Sequence, residues 1–70
     1  MLTSNFPDAI QTKYGLSVYR DDPKAEAYRQ MTALRANFHV EPTGWAHEDG
    51  SVTVYASDMQ SVTFIPTHSL

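Results

Sequence analysis

One stretch, Asp22–Asn37, constrains the fold more than any other part of the chain. Ala27, Tyr28, Met31, Leu34 and the following Phe38 recur at three- and four-residue spacing, which lines one side of an α-helix. Asp22 stands before Pro23 and is held extended by it, so its carboxylate can accept the orphan first-turn amides. Pro23 suits the first helical position, where a missing N–H is no loss. Arg35 falls in the last turn, and Asn37 tolerates a left-handed stop. The pattern predicts a long amphipathic helix over 22–37, whose apolar side the rest of the chain must cover.

Before that helix, Met1–Ser4 read as a loose end. Phe6, Ile10 and Tyr14 repeat every four residues, Pro7 and Asp8 suit a first turn, and Gly15 suits an exit. Residues 6–15 are therefore expected to form a short helix, which must dock on the core because two turns do not persist alone in water. Leu16–Arg20 alternates, with Leu16 and Val18 on one face and Ser17 and Tyr19 on the other, as a half-buried strand does. It is expected to join the sheet, parallel to a neighbour and right-handed if the connection crosses over through the long helix.

After the helix, Phe38–Glu41 is expected as a short strand and Pro42–Gly44 as a turn. A β-meander follows, with strands at Trp45–His47, Val52–Ala56 and Ser61–Ile65. Asp49-Gly50 between alternating runs is a strong hairpin signal. A two- or four-residue loop sets His47 against Val52 and Trp45 against Val54, gathering Trp45, Val52 and Val54 on one side. A three-residue bulged loop would slip that register and exchange the faces. Ser57–Gln60 makes the next turn, and a loop at Asp58–Gln60 would set Val54 against Phe64 and Ala56 against Val62. Pro66 ends the last strand and residues 67–70 read as a tail. The expected fold is α+β, a single small domain over 1–70. It comprises an antiparallel meander of three to five strands, the long helix packed on one face and the short N-terminal helix.

At 70 residues, folding buries only about 60% of the chain's surface, so one modest core is all there can be. The chain has no cysteine, which excludes a disulfide scaffold, a Cys-ligated zinc site and a thiol nucleophile. No basic-then-apolar leader follows Met1 and no apolar run approaches the roughly 18 residues of a membrane span, so the expectation is a soluble, cytoplasmic protein without membrane association. All five basic residues (Lys13, Arg20, Lys24, Arg29, Arg35) precede residue 36, against Asp8, Asp21, Asp22 and Glu26. The remainder carries Glu41, Glu48, Asp49 and Asp58 with no Lys or Arg, so the halves hold about +1 and −4. An acidic second half argues against phosphate binding there and is compatible with a basic partner.

Motifs for chemistry are sparse. His39 and His47 lie eight apart on different predicted strands and His68 is in the tail, which is not a metal-ligand spacing. Glu48-Asp49 is more simply a turn than an acid–base pair. No serine sits in a strand-turn-helix elbow, and Gly15, Gly44 and Gly50 are accounted for by a helix exit and turns. The sequence therefore gives no reason to expect an enzyme, a cofactor or a metal. Thr53, Tyr55, Thr63, Ile65 and Tyr19 alternate away from the valines and should face outward or meet a partner. The expectation is a non-enzymatic protein-protein interaction module acting through its acidic sheet and loop surface, with Trp45, His47, Glu48, Asp49, Tyr55, Asp58 and Ile65 as candidate partner-binding residues. Chains of this kind suit an inhibitor of the sort encoded by phages and mobile elements, occupying a basic surface of a host defence or nucleic-acid-binding complex. Homodimerisation is a further option. The alternative is a small dimeric nucleic-acid-binding or regulatory domain using Arg20, Lys24, Arg29 and Arg35.

Overall fold

The computed structural model describes residues 6–57 and 59–69. It is an α+β fold in two layers, one helix against a five-stranded mixed sheet. The elements in chain order are β1 (Ile10–Thr12), β2 (Gly15–Arg20), α1 (Pro23–Phe38), β3 (Thr43–Ala46), β4 (Val52–Tyr55) and β5 (Val62–Pro66), with a short 3-10 helix at Thr67–Ser69. The sheet order is β1-β2-β5-β4-β3; β2 and β5 are parallel and the other neighbours antiparallel. The sheet is thus mixed, because the long connection through α1 brings β5 alongside β2 rather than beside a hairpin partner.

α1 forms as its sequence dictates. The Asp22 carboxylate accepts from the Ala25 amide at 3.3 Å, and Pro23 opens the first turn. Ala27 and Leu34 are buried, and Met31 packs half-buried beside them. Three details differ from the expected helix, the first being that Phe38 is 47% exposed instead of buried with Ala27 and Leu34. Tyr28 is 70% exposed, because it sits about 100° around the helix from Ala27. The left-handed stop falls on His39 (φ 56°) rather than Asn37, so the helix runs through Phe38.

The core lies between α1 and one sheet face. Cross-strand registry aligns Val18 with Phe64 and Phe64 with Val52, and Leu16 with Val62 and Val62 with Val54. Val18, Val54, Val62 and Phe64 are fully buried there. Phe6 closes one side, its ring T-shaped to Phe64 with centroids 5.5 Å apart, and the Arg20 guanidinium lies over the Phe6 ring.

Several expected elements are replaced. Residues 6–15 are a turn and a hairpin, not a helix: the Ala9 amide bonds to the Phe6 carbonyl, and β1 returns into β2 through Lys13-Tyr14. The Thr12 hydroxyl organises that turn, donating to the Gly15 carbonyl and accepting from the Tyr14 amide. Residues 39–42 are not in a strand, and Thr43 and Gly44 belong to β3 instead of a turn. Residues 67–69 are helical rather than a tail. The β4–β5 register is two residues from the expected one, with Val54 against Val62 and Val52 against Phe64. The apolar sets stay together, since a slip of two preserves the faces. The β3–β4 register is slipped by one, with Trp45 against Thr53 and Ala46 against Val52. Here the faces exchange. Of the expected segments, Met1–Ser4, the turn residue Asp58 and the last tail residue Leu70 lie outside the described residues.

Candidate functional site: the open face of the sheet

Side chains alternate along each strand, so the residues between the core positions share the face opposite α1. One row runs across the whole sheet: Ile10, Ser17, Thr63, Thr53 and Trp45, each paired with the next. Tyr19 pairs with Ile65 on one side of that row, and Tyr55 with Thr43 on the other. None of these residues is charged, and no described α-helix crosses them. Ile10 is 53% exposed, Trp45 48% and Tyr55 46%. Ile65 and Tyr19 are half-buried.

The middle of this face is held by hydrogen bonds. The His47 Nε2 lies 2.7 Å from the Thr53 hydroxyl, which lies 2.9 Å from that of Thr63. Thr53 is buried at the centre of the row, satisfied on both sides, and the chain braces β3, β4 and β5 together. The face is therefore firm, and its outer contacts are aromatic rings and aliphatic carbon.

The β3–β4 loop sets the acidic residues beside it. The His47 amide donates to the Ser51 carbonyl and Gly50 takes φ 92°, so the loop is Glu48-Asp49-Gly50 with glycine in the left-handed region. Asp49 accepts from both the amide and the hydroxyl of Ser51, at 3.0 and 2.6 Å. These bonds from Ser51 hold its carboxyl below the ordinary aspartate value. Glu48 has no hydrogen-bond or ion-pair partner among the described residues. The loop geometry also explains the register: the bulged turn places Trp45 and His47 on the open face, not with Val52 and Val54.

Of the candidate residues, then, Trp45, His47, Tyr55 and Ile65 are brought to one face, with Glu48 and Asp49 at its rim. Asp58 lies outside the described residues. Ile10 belongs to the same face and was missed, because its spacing from Phe6 and Tyr14 read as helical.

Other chemistry finds little material. Among the described residues, no three or more His, Cys, Asp or Glu are grouped to hold a metal ion. Arg20, Arg29 and Arg35 are each held by a carboxylate, Arg20 by Asp8 at 2.7 Å, Arg29 by Glu26 at 2.6 Å and Arg35 by Glu41 at 2.9 Å. Lys13 lies over the Tyr14 ring. No helix among the described residues is long and apolar enough to cross a membrane. The outward side of α1 carries a shallow apolar hollow lined by Ala25, Tyr28, Arg29, Thr32, Ala33 and Ala36. Comparison with family models, curated proteins and solved structures finds no match to the chain.

Proposed function

We propose that this chain is a protein-binding module, without catalysis of its own, that docks on a partner protein through the open face of its sheet. The observation that carries this reading is the uncharged row from Ile10 to Trp45 on a braced sheet, with Trp45, Tyr55 and Ile10 about half exposed. Aromatic side chains on a firm scaffold give large contact area at little entropic cost, and Trp and Tyr dominate binding hot spots. Glu48, free at the rim, gives the surface one acidic side. A partner apolar at the centre of its docking surface and basic at one edge fits that profile, as a complex that handles nucleic acid does. Charge at the rim acts mainly on encounter rate and orientation.

Immobilised protein, with a Trp45→Ala/Tyr55→Ala variant as control, tests this by affinity capture from source-cell lysate. A partner held by the wild-type chain should be lost by the double variant, provided that its circular dichroism and melting point are unchanged. Glu48→Lys should slow association with the same partner and reduce its salt dependence. Retention of the partner by the double variant would put the binding surface elsewhere.

A further inference from the structure

β1 and β3 are the edges of the sheet, and they are not alike. Unpaired edges template further pairing, and proteins blunt them with charge, proline, bulges or shortness. β1 has three residues, and the Gln11 side-chain amide folds along it to the Thr12 carbonyl at 2.9 Å. β3 has four, all exposed, with no charged residue, no proline and an unbroken register against β4. Antiparallel ladders alternate, and the His47 amide bonds inward to Ser51. Thr43 and Trp45 therefore turn their backbone groups toward β4, while Gly44 and Ala46 turn theirs away. No described residue pairs with those outward groups.

We infer that β3 is a self-pairing edge, which joins the β3 of a second copy of this chain in an antiparallel two-fold. The outward groups belong to two residues separated by one, so a single register lets them satisfy each other. Gly44 faces Ala46 of the second copy, and each of the two such pairs exchanges both its hydrogen bonds. Trp45 then lies on the axis, opposite Trp45 of the second copy at the closely spaced kind of site, where aromatic rings pair well. On the helix side the facing residues are glycine and alanine, so no bulk opposes the approach.

Charge leaves the paired stretch itself open to a copy of the same chain. The paired stretch Thr43–Ala46 is uncharged, so no like charges meet within it. The register that sets residue 44 against 46 also sets 42 against 48. It also sets Glu41, held by Arg35 at 2.9 Å, against Asp49 of the second copy, so acids flank the paired stretch at both ends and limit its affinity. The contact is isologous and uses the same edge of both copies, so it closes as a dimer instead of growing into a filament. Four residues of strand and one half-exposed tryptophan bury far less than the roughly 800 Å2 per partner of a standard interface. The dimer is accordingly weak, filling as concentration rises from micromolar to millimolar.

This inference uses the sheet edge and shares Trp45 with the open-face reading without resting on it. Sedimentation equilibrium across that concentration range, with amide hydrogen exchange by NMR at both ends of it, provides the test. The expected result is a rise toward the dimer mass, with Gly44 and Ala46 amides exchanging at least tenfold more slowly at the high end. Ala46→Pro, which removes an outward N–H, should abolish both effects. Ala46→Glu keeps the N–H and adds an acid to each copy beside Glu48 and Asp49, so it should abolish them too, and a misfolded proline variant does not spoil the test. A monomer at millimolar concentration overturns the inference. So does a dimer whose Gly44 and Ala46 amides stay unprotected, or one that Ala46→Glu leaves intact. Both Ala46 variants retain Trp45, Tyr55 and Glu48, so their capture of a partner protein reports on the open face separately.

Discussion

Two glycines show how single residues hold this small domain in register. Gly15 closes the β1–β2 hairpin at φ 128°, and a Cβ there would stand 2.5 Å from both the Ser61 carbonyl and its hydroxyl. Those same Ser61 atoms tie the hairpin to the sheet: the carbonyl accepts from the Leu16 amide and the hydroxyl donates to the Tyr14 carbonyl, both at 2.8 Å. Gly50 also has a positive φ, 92°, but its nearest neighbour would be the Pro66 Cγ at 3.3 Å. A left-handed alanine costs roughly 1–2 kcal/mol before any clash. Gly50→Ala should cost about that much. Gly15→Ala should cost more, about 3 kcal/mol or beyond, because it must also displace Ser61 backbone. Urea unfolding of both variants checks the order; equal losses would mean that Ser61 yields freely.

At the level of elements, α1 was legible because several independent signals agree on it: cap, proline, apolar period and length. Its buried side is Ala27, Met31 and Leu34, and this can be tested on neighbouring positions. Leu34→Asp should unfold the chain, since a buried unpaired carboxylate costs several kcal/mol against a total stability of roughly 4–10 kcal/mol. Tyr28→Asp should stay within about 0.5 kcal/mol of wild type, because Tyr28 is exposed. Thermal melts followed at 222 nm would separate the two; a destabilised Tyr28→Asp would move the helix face. The short elements were less legible. Phe6, Ile10 and Tyr14 satisfy a helical period, yet the Thr12 hydroxyl and Gly15 build a hairpin there, and only Phe6 reaches the core. Alternation placed Tyr19, Thr53, Tyr55, Thr63 and Ile65 on the open face directly. It could not place Trp45 or His47, because Asp49-Gly50 serves loops of two, three or four residues alike. What decides is Asp49 accepting twice from Ser51 with Gly50 left-handed, a local bonding choice that hydrophobic pattern does not encode.

Across the whole molecule, carboxylates join segments that the core alone does not fasten. Asp8 ties the entry segment to the end of β2 through Arg20, and Glu41 ties the approach to β3 to α1 through Arg35. Asp49 closes the β3–β4 loop on Ser51. Hydrogen bonding to Arg20 holds the Asp8 carboxyl below its ordinary value, as bonding to Arg35 does for Glu41 and to Ser51 for Asp49. Folded carboxyls with depressed values bind protons less readily than unfolded ones. Their stabilisation is complete above the ordinary carboxylate range and is lost as pH falls through that range and below it. The melting temperature should therefore be nearly flat from neutrality to about pH 5 and fall at lower pH. All three groups are exposed, so added salt should make the fall shallower for the two ion pairs. Arg35→Gln removes one pair, and its melting curve should start lower at neutral pH and converge on wild type in acid, where Glu41 is protonated in both. Calorimetry from pH 7 to pH 2 reads each of these. A melting temperature that rises on acidification would mean that carboxylate repulsion around the acidic second half outweighs these three attachments.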